Sequence, residues 1–337
     1  MRAFLIAFIS FIVTTGLASA DESCPPLTMM ASLAMTLGPD GRPYIPVTIN
    51  GTPETMLIDT GGVFTEITKA TADQLQMSTH RSSLQFIGTN GDVSDRSARG
   101  SLTLGNLTAS QTDFVVMTDL HGIEGAGLFA PNFLHAYDAD FDFGAGKFNL
   151  ISQNHCDGKV IYWPAQAVAV IPIRLDDVGH ILLTVTLDGE NFQAALDTGA
   201  SQTVGDLSGV AERFHLNPGS ADTPAAGRTG KNGATPFYSH RFKLLSLEGI
   251  AVSNPEVALI PDLMRRSTME RAANLEGGTR IPDRSSELAL PEITLGMDIL
   301  RKFHLYIAYK ERKLYITPAT GPAPSATVNA TAGTKTP

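Results

Sequence analysis

Two Asp-Thr-Gly tripeptides stand in this chain, at 59–61 and 197–199, and their carboxyl groups are the strongest candidates for chemistry. One such tripeptide is uninformative, because any given three residues recur by chance about once in several thousand positions. Two of them 138 residues apart in a repeated context are another matter. Residues 41–68 (GRPYIPVTINGTPETMLIDTGGVFTEIT) align without gaps on residues 179–206 (GHILLTVTLDGENFQAALDTGASQTVGD), matching Gly41 with Gly179, Val47 with Val185, Thr48 with Thr186, Gly51 with Gly189 and Thr65 with Thr203. One structural unit is used twice, and each copy supplies one carboxylate. Two carboxyl groups about 3 Å apart cannot both ionise cheaply, so they share a proton, one serving as base and the other as acid. Such a pair can take a proton from a water while hydrogen-bonding the oxygen that becomes negative when the water attacks.

The elements that must position these groups are strands. Each copy reads as a β-hairpin: alternating apolar residues (Ile45, Val47, Ile49; Leu183, Val185, Leu187), an Asn50-Gly51 or Asp188-Gly189 turn that tolerates positive φ, and a second apolar strand running into Asp59 or Asp197. Further on the order recurs with lower similarity. Gly-rich turns at 88–91 and 227–233 precede expected strands over 102–107 and 242–250, then 114–117 and 257–260. Leu128-Phe129-Ala130-Pro131-Asn132-Phe133-Leu134 parallels Thr294-Leu295-Gly296-Met297-Asp298-Ile299-Leu300, each followed by aromatic-rich strands ending near Ile151 or Ile316. The expected organisation is a first β lobe over 21–155, a linker over 156–170, a second β lobe over 171–317 and a disordered Pro/Ala/Thr/Gly tail over 318–337. Residues 262–276 add an amphipathic helix to the second lobe.

Composition narrows the function classes. A net charge of −9 with no basic run argues against a nucleic-acid surface, and 43% hydrophobic with 18% charged residues suits a globular chain of 337 residues. Residues 1–20 read as a signal peptide: Arg2, an apolar run from Ala3 to Val13, and Ala18-Ser19-Ala20 before the cut. That run is too short for a spanning helix of about 20 apolar residues, so the expectation is export to the periplasm or medium with no stable membrane anchor. Cys24 and Cys156 are the only cysteines, and in an oxidising compartment they are expected to pair. In a reducing one they would stay free thiols.

With these residues in hand, the sequence resembles the pepsin and retropepsin superfamily of aspartic peptidases, specifically single-chain, two-lobe bacterial members, over residues 40–317. The resemblance implies a mostly β, bilobal fold of two similar lobes with short helices, and peptide or protein substrates cleaved by an Asp59–Asp197 dyad. It implies cross-lobe hydrogen bonds from Thr60 and Thr198, and tight turns at Gly61 and Gly199. It also implies substrate-covering hairpins that carry Gly88, Asn90 and Gly91 in one lobe and Gly230 and Gly233 in the other. Both halves lie in one chain, so a monomer is expected, without metal or organic cofactor. Four places depart from the pepsin pattern. Gly62 and Ala200 stand where pepsin-like chains place Ser or Thr, which predicts a less acidic working range than a pepsin's. Ala130 replaces the expected Gly and could shift the Asp59 loop, and no Tyr marks the 88–91 turn.

Other constellations carry less. Tyr137 to Gly144 has acids at alternate positions like a calcium loop, but Phe143 occupies the place of the required Gly and acid–aromatic alternation suits a half-buried strand. The eight His form no zinc pattern, and Gly199-Ala200-Ser201-Gln202-Thr203 lacks the final Gly of a serine-hydrolase elbow. Two rival readings remain: a catalytically weak peptide-binding protein on the same fold, and a glycosidase using paired carboxylates.

Overall fold

The computed structural model describes residues 25–88, 93–120, 122–165, 167–229, 233–261 and 291–320. Cys24, Asn90, Gly91, Gly230, the expected signal peptide, the expected helix over 262–276 and all but the first residues of the expected tail lie outside them.

Three sheets build the molecule. A six-stranded sheet joins the lobes in the order Met29–Ala34, Lys147–Ile151, Asp138–Asp142, Phe303–Ala308, Lys313–Pro318, Ala169–Pro172, three strands from each half. The halves meet where Asp138–Asp142 runs antiparallel to Phe303–Ala308, with Ala139 opposite Ile307 and Phe141 opposite Leu305. The other two sheets belong one to each lobe and share an order. In the first, Thr52–Ile58, Gly127–Phe129, Glu66–Thr68, Leu107–Met117, Val93–Leu104 and Thr79–Ile87 lie side by side; in the second, Glu190–Leu196, Ile293–Leu295, Val204–Asp206, Glu256–Ile260, Thr235–Arg241 and Ala225–Thr229 do so. The chain is therefore mostly β and bilobal.

Local turn chemistry explains the hairpins. Asn50 and Asp188 adopt φ of 49° and 45°, so Ile49 pairs directly with Thr52 and Leu187 with Glu190. Their side chains tie the turns down as well. Asn50 Oδ1 accepts from the Ser101 amide at 2.8 Å, and Asp188 Oδ1 accepts from the Lys243 and Leu244 amides at 2.8 and 2.7 Å.

Four sequence expectations need correction. The segments 102–107 and 242–250 are not single strands. Each is broken by a two-residue turn, at Gly105-Asn106 and Glu248-Gly249, where Gly105 and Gly249 hold φ of 58° and 90°. Strand Asp138–Asp142 is buried on both faces, not one: Asp138 and Asp140 are both 0% exposed. Residues 156–168 are more than a linker, because Val160 and Trp163 pack in a cluster with Tyr306 and Tyr315, and the Tyr162 hydroxyl reaches the acidic face at Asp140. The strand Ala169–Pro172 already belongs to the interlobe sheet, and Lys313–Pro318 carries it one residue into the expected tail.

Beneath that cover lies a buried polar network. His304 and Asp140 meet at 2.6 Å across the lobes, and Asp140 also accepts from the Tyr162 hydroxyl at 2.5 Å and Asn149 Nδ2 at 2.7 Å. Asp138 takes His155 at 2.7 Å, the Tyr306 hydroxyl at 3.1 Å and the Tyr309 amide at 3.1 Å. Buried acids are tolerated when each oxygen is hydrogen-bonded, which the alternation pattern alone does not reveal. Cys156, at the start of this segment, is disulfide-bonded, and Cys24 is the sequence's only other cysteine.

Candidate active site

The two Asp loops are built alike. Strand Thr52–Ile58 runs parallel to Gly127–Phe129, and the Asp59 amide donates to the Phe129 carbonyl at 2.9 Å; strand Glu190–Leu196 runs parallel to Ile293–Leu295, and the Asp197 amide donates to the Leu295 carbonyl at 3.0 Å. Each Asp thus leaves the end of a buried parallel strand. Beyond it the chain turns back, so that Asp59 Oδ1 accepts from the Gly61 and Gly62 amides at 2.9 and 2.8 Å, and Asp197 Oδ1 from the Gly199 and Ala200 amides at 2.7 and 3.1 Å.

The loops interlock through the intervening threonines. Thr60 Oγ1 donates to the Leu196 carbonyl (2.9 Å) and accepts from the Thr198 amide (3.0 Å); Thr198 Oγ1 donates to the Ile58 carbonyl (2.7 Å) and accepts from the Thr60 amide (3.1 Å). Both threonines are fully buried, so all four bonds are shielded from water. A Cβ on Gly61 would come within 2.3 Å of Asp197 Cγ, and one on Gly199 within 2.4 Å of Asp59 Cγ. Glycine at these places is what lets each loop pass under the other lobe's carboxyl group. Asp59 and Asp197 are thereby brought close enough for each to perturb the other's carboxyl.

Burial pushes both carboxyls above the ordinary carboxylate range, and for Asp197 the charge of Asp59 adds to it. The loop amides oppose the rise, and so does His180 when it is charged. No hydroxyl at 62 or 200 joins them, although a Cβ at 62 would lie 3.2 Å from Asp59 Oδ2. Both effects favour the protonated form of the two carboxyls over an upward-shifted range of pH.

Several supporting residues escaped the sequence reading. Thr65, buried, binds Asn132 Oδ1 through its amide (3.0 Å) and hydroxyl (2.8 Å), and receives the Ala130 amide at 3.3 Å. Thr203 binds Asp298 Oδ1 at 2.7 and 2.8 Å and receives the Gly296 amide at 3.1 Å. These pairs clamp the helices Pro131–Leu134 and Met297–Leu300 beneath the two Asp loops. The matched threonines of the repeat were the available signal. Because an amide oxygen does this work in the first lobe, Asp298→Asn is expected to stay within about 1 kcal/mol of wild type, while Asp298→Ala leaves two donors unpaired and loses about 1–3 kcal/mol. Urea denaturation distinguishes the two, and equal losses would show that the charge matters instead.

Arg42 and its repeat partner His180 were also missed. Arg42, only 12% exposed at its side chain, pairs with Asp40 at 2.5 Å, donates to the Gly122 carbonyl and reaches within 3.5 Å of the Gly199 carbonyl in the opposite Asp loop. His180 Nδ1 meets Asp176 Oδ2 at 2.9 Å. Ala130 is accommodated: it is fully buried and the Asp59 loop keeps both of its amide donors. Gly296 could not be replaced likewise, since a Cβ there would meet the Gln202 carbonyl carbon at 2.3 Å.

The hairpin Thr79–Ile87/Val93–Leu104 carries Gly88 at its tip, and Ala225–Thr229/Thr235–Arg241 carries Gly233. Phe64 and Phe86 meet edge to face at 5.3 Å, joining the first hairpin to the Asp59 loop. Among the described residues, no cluster of three or more His, Cys, Asp or Glu is placed to hold a metal ion.

Comparison with curated proteins gives no match. The aspartyl protease family, in contrast, matches residues 45–131 and 183–299, the two segments that contain both Asp loops and the strands beneath them. The chain belongs to the aspartyl protease family.

Proposed function

We propose that this chain is an aspartic endopeptidase in which Asp59 and Asp197 share one proton and activate a water against a peptide carbonyl. The observation that carries the reading is the interlocking of two Asp loops from separate lobes: each Asp is held by two loop amides, each loop's glycine lies against the other lobe's carboxyl, and reciprocal threonine bonds lock the pair. The ionised member takes a proton from water, and the protonated member hydrogen-bonds the developing oxyanion. A glycosidase needs carboxyls about 5 Å or more apart with the sugar between them, whereas here each Asp loop passes directly under the other lobe's carboxyl, which favours the peptidase. Against a binding-only protein stand the equivalent environments of the two carboxyls.

Both carboxylates come from one chain, so we further propose that a monomer suffices, a point sizing of the active protein addresses. Residues 1–20 are proposed to direct export; recovery of the exported protein with those residues still attached would overturn this.

The test is cleavage of a mixed peptide library by the purified protein, followed by mass spectrometry. The same experiment across pH checks the dyad. Raised carboxyl pKa values move both limbs of the kcat/KM profile upward, above the about 1.5 and 4.7 of a pepsin dyad. Activity confined below about pH 3 would contradict the arrangement.

A further inference from the structure

One ionisable side chain near the dyad has no role in this mechanism. Glu66 lies in a row of directly opposed strand residues, Tyr44, Leu57, Leu128, Glu66 and Val115, of which it is the only acid. Opposed residues share a face of the sheet. This face bears a small apolar cluster that includes Leu128, Val115, Ala130 and Phe86, while Met56, Ile58, Ile67 and Phe129 point the other way into the main core. A Cβ on Gly62 would lie 3.2 Å from Asp59 Oδ2 and 3.4 Å from the Ala130 Cβ, so the Asp59 loop rests against the cluster. The Phe64–Phe86 contact joins its other side to the hairpin that carries Gly88. Glu66 therefore stands on the wall between the dyad and that hairpin.

Its carboxyl has neither hydrogen bond nor ion pair among the described residues, and burial together with the charge of Asp59 pushes it up to about 8. Glu66 is half-buried, and a carboxyl that is partly withdrawn from water with no partner gains from any cation that reaches it. The second lobe has no counterpart: the equivalent row is Ala195, Thr294, Val204 and Ala258, smaller and uncharged. The asymmetry singles out one side of the cleft.

We propose that Glu66 is a specificity-determining residue that receives the lysine or arginine side chain of a bound peptide on the first-lobe side of the scissile bond, an inference that rests on the peptidase reading above. An arriving ammonium or guanidinium ionises Glu66 and forms a charge-assisted hydrogen bond in a half-buried setting. An uncharged side chain of similar length leaves the carboxyl unpaired, and sites built around such a bond discriminate strongly against substrates lacking it.

The experiment uses pairs of fluorogenic peptides that differ only in lysine or norleucine at each position flanking the cleaved bond, assayed with wild type, Glu66→Gln and Glu66→Asp. At one position wild type and Glu66→Asp are expected to favour lysine by about tenfold or more in kcat/KM, and Glu66→Gln to bring the ratio near unity. Each ratio is internal to one variant, so altered folding or concentration does not move it. Cleavage by wild type with no lysine preference, or a preference unchanged in Glu66→Gln, overturns the inference and leaves the peptidase reading standing. A Glu66→Gln variant that shifts only the pH profile also overturns it, showing that Glu66 joins the dyad's proton sharing instead. Failure to cleave either member of every pair overturns both.

Discussion

Asp59→Asn and Asp197→Asn are each expected to lower kcat on the order of a thousandfold or more while leaving the fold intact, because in the proposed mechanism either change removes one half of a proton-sharing pair. The amide is nearly isosteric and keeps an oxygen for the loop amides that now hold Oδ1. Losses should be alike in size, and the double variant should lose little more than either single one, since the two groups act as a unit. Stability supplies an internal check with a definite sign. Both carboxyls are raised by burial, so their folded-state preference is for the protonated form. The stability they contribute is present below the ordinary carboxylate pKa and is lost as pH rises through the raised values. An Asn cannot ionise, so each variant should match wild type near pH 4 and exceed its Tm near pH 8. Undiminished cleavage in either variant would remove that residue from the mechanism, and a Tm that falls at both pH values would mark the loss as misfolding.

Asp140→Ala should produce the largest loss of stability, about 3–5 kcal/mol, because it takes the carboxylate from the buried His304 and Asn149 and from the Tyr162 hydroxyl at once. His304, the Tyr162 hydroxyl and Asn149 all converge on this carboxylate. At about 2–4 °C per kcal/mol for a chain of this size, Tm should drop by roughly 10 °C. Asp140 and His304 come from different lobes, and among the described residues their strands are the only direct pairing between the halves of the six-stranded sheet. The damage should therefore show as early loss of lobe association, with cleavage falling at the same temperature. Asp140→Asn retains one acceptor oxygen and should fall between. An Asp140→Ala protein as stable as wild type would show that the network is dispensable.

How far the sequence could be read depended on the range of the interactions concerned. Asn50-Gly51 and Asp188-Gly189 announce their hairpins because the turn is a property of two adjacent residues, and both adopt the positive φ expected of them. The turns at Gly105 and Gly249 follow the same rule but were hidden inside apolar runs that looked continuous. Thr65 and Asn132 are 67 residues apart, and Arg42 approaches a carbonyl 157 residues away. Neither partner carries a local signature of the other. The alternation of Asp138, Asp140 and Asp142 correctly indicated a strand, yet it read as exposed on one side because nothing local shows that Tyr162 and Trp163 return to cover it.

The Asp-Thr-Gly repeat was decisive from the residues alone. It located both carboxylates, showed that each ends an apolar strand, and called for two similar lobes, since an ungapped repeat must fold into equivalent units. Tertiary structure decided their chemical state. A carboxyl's affinity for its proton depends on burial, on donors and on charges brought near from distant parts of the chain, and here the Asp59 and Asp197 loops come together from two lobes, with loop amides and His180 acting on both carboxyls. The same holds for Glu66, an unremarkable acid in the sequence. Only the packing of Leu128 and Val115 on either side, with no cation beside it among the described residues, leaves it an unpaired carboxyl next to Asp59.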